Sequence, residues 1–260
     1  VLLCPVFLGG CGKNENLSVS KSGFYLDTVI TITLYGTDDE KLIDDGFDLC
    51  AAYEKLLSTT KEESDIYRIN HSTGPVTVDE VTALLIRQGI QYYELSDGLF
   101  DISIGSVSEL WDFTSDTPQI PDAGRIADAV THVNASDIEV SGCVVSAPEG
   151  MKLDLGGIAK GYIADKLEQF YCAKGVTSAL LNLGGNIWCI GNPPDRDNFR
   201  IGIKKPFTDD ETIKTVEVRD KCVVTSGVYE RCFTDNDVLY HHVLDPSTGY
   251  PRETDLYSVT

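Results

Sequence analysis

The run from Asp154 to Gly161 combines a carboxylate, a pair of glycines and a lysine at the predicted start of a helix. Paired glycines let a backbone approach a ligand closely. The unpaired N–H groups of a helix start attract an anion, and Lys160 adds a full positive charge. These residue types therefore indicate a site for a phosphate-bearing ligand. A strand–turn–helix connection with an exposed lysine is the structural alternative.

Two common phosphate-binding motifs do not fit this run. A P-loop requires the spacing G-x-x-x-x-G-K-[ST], whereas Lys160 precedes its neighbouring glycine. The dinucleotide fingerprint G-x-G-x-x-G does not match the spacing of Gly156, Gly157 and Gly161 either. A phosphate-bearing ligand at this run must therefore be bound with a different backbone geometry.

The charge of the chain restricts its partners. The 260 residues carry a formal net charge of -20, which argues against nucleic acid or an anionic membrane surface as the main partner. An acidic protein that binds a polyanion needs a local cationic site or a divalent metal. This requirement supports Lys160 as a candidate anion-binding residue. The length suits one large domain or two small ones with a sizeable core.

The first residues are typical of an export signal. Residues 1–10 are almost wholly apolar, and Leu8-Gly9-Gly10-Cys11 resembles the lipobox of bacterial lipoproteins. That resemblance implies cleavage before Cys11 and acylation of its sulfur, and we expect the sequence to start inside the signal peptide. We expect residues 11–22 to form a polar tether and residues 23–260 to form the domain. A buried apolar strand is the alternative for residues 1–10.

The cysteines do not suggest a metal site. No C-x-x-C pair is present, and the spacings match no zinc pattern. Most lie in apolar stretches, where a thiol behaves as a small hydrophobic group. We therefore expect buried thiols in the domain and leave disulfides open.

Helical and alternating patterns follow one another without internal repeats. They predict an α+β fold with largely antiparallel or mixed sheets and packed helices. Helices are predicted over residues 41–58, 79–96, 121–133 and 158–174. Strands are predicted over residues 24–35, 76–78, 138–140, 144–147, 152–155, 177–183, 187–190, 200–204, 213–218, 223–225 and 239–244, with hairpin turns at 182–186 and 234–237.

Three further segments are candidates for a site. The glycine pair Gly184-Gly185 could approach a ligand, although a hairpin turn explains it equally well. Residues 97–101 place an aromatic side chain beside an acid, or simply form a helix cap and a core anchor. His241 and His242 point to opposite faces of a predicted strand, so at most one of them faces a shared site.

The order of these segments resembles the FAD:protein FMN transferase family, also called the ApbE family, from about Phe24 to the last residue. The resemblance is carried by LDLGGIAKGYIAD (residues 153–165), LNLGGNIWCIG (181–191), YHHVLDPSTGYP (240–251) and the shorter segments 26–28, 64–70, 97–101, 110–113 and 225–227. It implies an ApbE-like fold related to the T-fold.

The resemblance also implies an activity. Members bind FAD with a divalent metal, usually Mg²⁺, and transfer its FMN half to a threonine or serine hydroxyl of a partner protein, with release of AMP. His242 would help to deprotonate that hydroxyl, a poor nucleophile at neutral pH, and the backbone carbonyl of Gly157 would bind the metal. The FAD contacts implied by motif position are Leu26, Leu99, Phe100, Asp101, Asp154, Lys160 and Leu244.

The sequence departs from the family pattern in two places. Many members have a tyrosine that stacks on the flavin where this chain has Thr60. The aspartate and threonine that complete the family's metal site would lie beyond Thr260. We therefore expect the sequence to be incomplete at its C-terminus, to bind Mg²⁺ poorly and to transfer little FMN as given.

Two alternatives to the transferase stay open at this stage. One is a metal-dependent hydrolase that splits FAD into FMN and AMP, and the other is a non-catalytic FAD-binding lipoprotein. His242 and the metal-binding loop favour the transferase over the binder. The expected acceptor is an exported flavoprotein, such as a subunit of a redox-driven ion pump. The expected location is the bacterial cell envelope, with a lipid anchor at the outer face of the cytoplasmic membrane.

Overall fold

A computed structural model describes residues 17–113, 115–208 and 211–260. The predicted signal peptide and Cys11 therefore lie outside the described residues. The helices are α1 Glu40–Leu57, α2 Asp65–Asn70, α3 Glu80–Leu95, α4 Gly105–Trp111, α5 Ala123–Val130 and α6 Gly156–Ala173. The strands are β1 Ser18–Tyr25, β2 Thr28–Tyr35, β3 Val76–Thr77, β4 Glu139–Ser141, β5 Val144–Ser146, β6 Ala179–Leu183, β7 Asn186–Ile190, β8 Phe199–Lys204, β9 Thr212–Val218, β10 Lys221–Val223, β11 Ser226–Gly227, β12 Cys232–Asp235, β13 Val238–His241 and β14 Ser258–Val259.

The predicted α+β class with antiparallel sheets is confirmed. The largest sheet has five strands in the order β1-β2-β6-β7-β10, and every neighbouring pair is antiparallel. Strands β3, β5 and β4 form a second sheet, and the pairs β8–β9, β11–β14 and β12–β13 form three separate two-stranded sheets. Only an isolated parallel bridge between Ile104 and Lys152 occurs where a strand was predicted over residues 152–155.

The four predicted helices correspond to α1, α3, α5 and α6. Aspartate side chains begin the first three of them, because Asp39, Asp79 and Asp122 each accept a hydrogen bond from the first turn of their helix. Helices α2 and α4 were not predicted, since six and seven residues are too few to display a helical period. None of the helices in the described part of the chain is long and apolar enough to cross a membrane.

The start of the domain differs from the sequence-based expectation. Residues 24–35 form a hairpin rather than one strand, because Leu26 and Asp27 both have a φ of 55° and turn the chain between β1 and β2. The tether predicted over residues 11–22 is wrong from Ser18 onward, where β1 begins. The polar side of β1 suits this position, since the hydroxyl of Ser20 lies 2.8 Å from that of Thr33 on β2.

The main core lies between the five-stranded sheet and the helices α1 and α6. Ile30, Ile32 and Leu34 alternate along β2 and are fully buried on its inner face. Leu167 and Tyr171 contribute the facing side of α6. The sheet thereby fixes the direction of α6, whose first turn carries the glycine pair.

A second apolar cluster joins α4 and α5 to the β12–β13 hairpin. Trp111 is fully buried, and its ring stacks on Tyr240 of β13 with centroids 5.6 Å apart. The indole N–H of Trp111 also donates a hydrogen bond of 2.8 Å to the carbonyl of Gly249. The hairpin that precedes His242 is therefore anchored to helices of a different part of the chain.

The six cysteines of the described residues, Cys50, Cys143, Cys172, Cys189, Cys222 and Cys232, all carry free thiols. Burial raises the pKa of Cys50 to about 12 and that of Cys189 to about 11. Both groups are therefore neutral at physiological pH and act as small apolar side chains in the core.

Candidate functional site

The first turn of α6 is set up by Asp154. The backbone N–H of Asp154 donates to the carbonyl of Ile102 at 2.8 Å, which holds the segment beside the loop that follows α3. One carboxylate oxygen of Asp154 then accepts the N–H of Gly156 at 2.7 Å, as a capping side chain does. Gly156 and Gly157 are exposed, so the beginning of the helix is open to a ligand.

Phe100 lies directly against this helix start. A Cβ atom placed on Gly157 would be 2.8 Å from Cε2 of the Phe100 ring, so only glycine leaves this ring in its place. Phe100 is half-buried, while the side chain of the preceding Leu99 is 65% exposed. The structure therefore brings together Phe100, a predicted FAD contact, and Gly157, the predicted metal ligand.

Asp101 has its carboxylate engaged inside the protein. One oxygen accepts the backbone N–H of Ser103 at 2.7 Å and its hydroxyl at 2.6 Å, and the other accepts the N–H of Ala135 at 3.2 Å. The residue is 7% exposed. These bonds fix the loop that carries Phe100, so the carboxylate of Asp101 positions the aromatic ring.

Lys160 lies one turn further along α6 and is half-buried. Its pKa is lowered first by burial and then by the positive charge of Arg231, while Asp154, Glu230 and Asp27 act in the opposite direction. Within the part of the chain that the structure describes, Lys160 forms no salt bridge. Its ammonium group is thus available for an anion.

His242 enters the site from the open end of the β12–β13 hairpin. Cys232 and His241 form the last pair of that hairpin, so Arg231 and His242 are the two residues that flank it. The N–H of His242 donates to the carbonyl of Arg231 at 3.0 Å. The guanidinium of Arg231 in turn approaches the carbonyl of Asp27 at 3.4 Å, in the turn between β1 and β2.

The His242 imidazole is held in its neutral form. Burial lowers its pKa below the ordinary value of 6.5, and the charges of Arg231, His241 and Lys160 lower it further, while the Arg231 carbonyl acts against them. The Nδ1 atom of His242 is buried and has no hydrogen-bond partner among the described atoms. A neutral imidazole near a lysine can accept a proton from a hydroxyl group.

Glu54 connects two of the predicted segments. One oxygen accepts the N–H of Leu26 at 2.9 Å, and the other pairs with the ammonium of Lys61. Thr60 precedes that lysine, is exposed, and donates its N–H to the hydroxyl of Ser58 at 3.1 Å. Glu54 is half-buried on α1, and sequence reasoning missed it as the acid that holds the turn at Leu26.

The remaining predicted positions, Leu244 and the pair Gly184-Gly185, lie in neighbouring segments. Leu244 forms an isolated bridge with Pro251 and packs against the Trp111 cluster, two residues beyond His242. Gly184 makes the β6–β7 hairpin turn, and a Cβ there would lie 2.2 Å from the hydroxyl of Thr28. The second glycine pair therefore supports the turn that carries Leu26.

A complete metal site is not present in the described ranges 17–113, 115–208 and 211–260. They contain no group of three or more histidine, cysteine, aspartate or glutamate side chains arranged to hold a metal ion. Gly157, the predicted carbonyl ligand, is the second residue of α6. A backbone carbonyl and the phosphates of a substrate, both ordinary ligands of Mg²⁺, are not members of such a group of side chains.

Comparison with known proteins identifies the family of this chain. The sequence model of the ApbE family matches residues 26–260 and so spans every segment described above. This chain belongs to the ApbE family. The predicted family membership is thereby confirmed.

Two relatives in the ApbE family are named FAD:protein FMN transferase. The protein from Klebsiella pneumoniae (strain 342) is 37% identical over 253 residues, which cover 95% of this chain and 78% of the relative. The protein from Treponema pallidum (strain Nichols) is 33% identical over 283 residues, which cover 100% of this chain and 78% of the relative.

Solved structures agree with the fold. The ApbE protein of Thermotoga maritima superposes with a TM-score of 0.85 at 32% sequence identity, over 93% of this chain and 80% of the other. The flavin transferase ApbE from Vibrio cholerae superposes with a TM-score of 0.82 at 25% identity, over the same shares of the two chains. The predicted ApbE-like architecture is therefore confirmed.

Proposed function

We propose that this protein transfers FMN from FAD to a hydroxyl group of a partner protein and releases AMP. The names of its relatives in the ApbE family support this reaction. The observation on which the proposal rests is the imidazole of His242: its buried Nδ1 has no hydrogen-bond partner among the described atoms, and its pKa is lowered by burial and by the charges of Arg231, His241 and Lys160. A proton acceptor and a phosphate-binding cation are the two groups that attack by a hydroxyl on a diphosphate requires.

The reaction can be written with these residues. The acceptor hydroxyl donates its proton to His242 as its oxygen forms a bond to the phosphorus of the FMN half. The bond between that phosphorus and the bridging anhydride oxygen breaks, and AMP leaves with the bridging oxygen and the electron pair of that bond. Lys160 stabilises the negative charge that the diphosphate oxygens carry during this exchange.

The aromatic part of FAD has a candidate binding surface at the start of α6. Phe100 offers a half-buried ring beside Gly157, and the exposed Leu99 lies next to it. Leu26 adds an apolar side chain at the turn that contacts Arg231. In the proposed complex the flavin or the adenine stacks on Phe100 while the diphosphate reaches Lys160.

Magnesium is proposed from the family resemblance alone. A divalent ion would neutralise charge on the diphosphate, and the carbonyl of Gly157 would be one of its ligands. Since the described residues do not form a complete metal site, no step above depends on the ion.

The acceptor and the location are proposals of the same kind. A threonine or serine hydroxyl of an exported flavoprotein suits a protein whose Leu8-Gly9-Gly10-Cys11 resembles a lipobox. Acylation of Cys11 would anchor the domain at the outer face of the cytoplasmic membrane. Mass spectrometry of the membrane-associated protein tests this, and an unmodified Cys11 thiol would contradict it.

The test of the reaction uses the full-length gene product, FAD, Mg²⁺ and a flavoprotein domain with a candidate threonine. Mass spectrometry should find FMN covalently bound to the acceptor together with an equal amount of AMP. AMP without flavinylated acceptor would replace the proposal by FAD hydrolysis. Bound FAD that stays intact would replace it by a flavin-binding role. Replacement of the acceptor threonine by valine is the matched control.

A further inference from the structure

Arg231 is a cation that the family resemblance did not assign. It is exposed, and among the residues of the described ranges it forms no salt bridge. Its positive charge lowers the pKa of Lys160 more than any other single charge does, while the carboxylates of Asp154, Glu230 and Asp27 raise that pKa. Lys160 and Arg231 are thus two cations without a salt bridge in the described ranges, on a chain with a net charge of -20.

The backbone holds Arg231 in this position. It immediately precedes β12, and its carbonyl accepts the N–H of His242 at 3.0 Å across the open end of the hairpin. Its guanidinium has a single long contact, 3.4 Å to the carbonyl of Asp27. A guanidinium offers five N–H donors, so most of them remain free for a ligand.

Two neighbouring positive charges destabilise each other, and an anion bound to both removes that cost. The diphosphate of FAD carries one negative charge on each phosphate at neutral pH. Its two phosphate groups can each contact one of the two cations. An arginine is suited to this task because its planar guanidinium can donate two hydrogen bonds to one phosphate.

We infer that Arg231 is the second cation of the diphosphate site and binds FAD opposite Lys160. The inference rests on the proposed function, because FAD is the ligand that the two cations share. It makes Arg231 a residue that selects diphosphate-containing flavins. The competing explanation is that Arg231 only supports the turn at Asp27.

The experiment measures FAD affinity by quenching of flavin fluorescence at several salt concentrations. Arg231→Gln should weaken FAD binding about ten- to a hundredfold, the usual effect of losing hydrogen bonds to a charged group. Its affinity should also depend less steeply on salt than that of the wild-type protein, because one ion pair is lost. Arg231→Lys should keep the salt dependence and part of the affinity.

The matched control is Arg125→Gln, which removes an equally exposed positive charge from α5. It should bind FAD like the wild type. Unchanged FAD affinity in Arg231→Gln would overturn the inference, and so would a weaker affinity with an unchanged salt dependence.

FMN transfer by the wild-type protein separates this inference from the proposed function. If the wild type transfers FMN and Arg231→Gln binds FAD normally, the proposed function stands and the role of Arg231 is wrong. If Arg231→Gln weakens FAD binding as expected but the wild type transfers nothing, the FAD site stands and the transfer is wrong. A wild-type protein that does not bind FAD overturns both.

Discussion

Phe100 packs so closely over the start of α6 that a Cβ atom on Gly157 would lie 2.8 Å from its ring. Gly161, one turn later on the same helix, has no atom within 4 Å of the corresponding position. The two glycines therefore differ in how much space surrounds them. The first makes room for an aromatic ring at the site, whereas the second lies on an open face of the helix.

Gly157→Ala should displace the Phe100 ring and weaken FAD binding about tenfold. Overpacking of this kind costs about 1–3 kcal/mol, and tenfold in affinity corresponds to about 1.4 kcal/mol. Gly161→Ala is the control and should stabilise the protein by about 1 kcal/mol, since alanine favours a helix over glycine. Flavin titration and urea unfolding measure the two effects. Equal FAD affinity in both variants would contradict the role of Phe100.

His242→Gln should abolish most of the FMN transfer and leave FAD binding nearly unchanged. Loss of a general base typically lowers a rate by about 10²- to 10⁴-fold. His71→Gln removes an exposed histidine on another surface and should transfer FMN at the normal rate. The rate is measured at saturating FAD by the appearance of AMP. A tenfold weaker FAD affinity in His242→Gln would indicate a binding role instead.

The rate of transfer should persist at a pH where an ordinary histidine is already protonated. Burial and the positive charges of Arg231, His241 and Lys160 lower the pKa of His242 below 6.5. Since the base acts in its neutral form, activity is full above this lowered pKa and is lost as the pH falls through it. Arg231→Gln removes one of these charges and should move the acid limb of the pH–rate profile upward. An acid limb at or above pH 6.5 in the wild type would contradict this assignment.

Glu54 should contribute to stability chiefly through the backbone of Leu26. Glu54→Ala removes the acceptor of a half-buried N–H and should lower the free energy of unfolding by about 1–3 kcal/mol. Glu54→Gln keeps an oxygen for that N–H and loses only the pair with Lys61, so it should cost less than about 1 kcal/mol. Urea unfolding compares the two, with the exposed Glu63→Ala as control. Equal costs for the alanine and glutamine variants would show that the ion pair dominates.

Local patterns were sufficient for much of the fold. Helical patterns predicted α1 and α3, and the turn residues at 234–237 predicted the β12–β13 hairpin. The turn between β1 and β2 was not predicted, because Leu26 has a left-handed φ and no glycine or proline in the segment indicates a turn.

The charged part of the site depends on tertiary contacts that no local pattern reveals. Lys160 was found from the glycine pair beside it, and His242 from the resemblance. Arg231 is far from Lys160 in the sequence. The register of the β12–β13 hairpin, which the sequence does not show, places Arg231 beside His242. Asp101 was predicted as a ligand contact, yet its bonds to Ser103 and Ala135 depend on a loop that approaches from elsewhere.

The far end of α6 is fixed to α1. Tyr171 is fully buried, and its hydroxyl donates to the carbonyl of Leu42 at 3.2 Å. A Cβ atom on Gly46 of α1 would lie 2.0 Å from the hydroxyl oxygen of Tyr171. The helix cannot slide without breaking this contact. Among the described residues, the strands β12 and β13 hydrogen-bond as a sheet only to each other, and the hairpin meets α4 through the ring of Tyr240. We therefore expect amides of the hairpin to exchange with deuterium faster than those of α6, and equal protection would contradict this. Motion of the β12–β13 hairpin would then set the rate of product release, while α6 stays fixed.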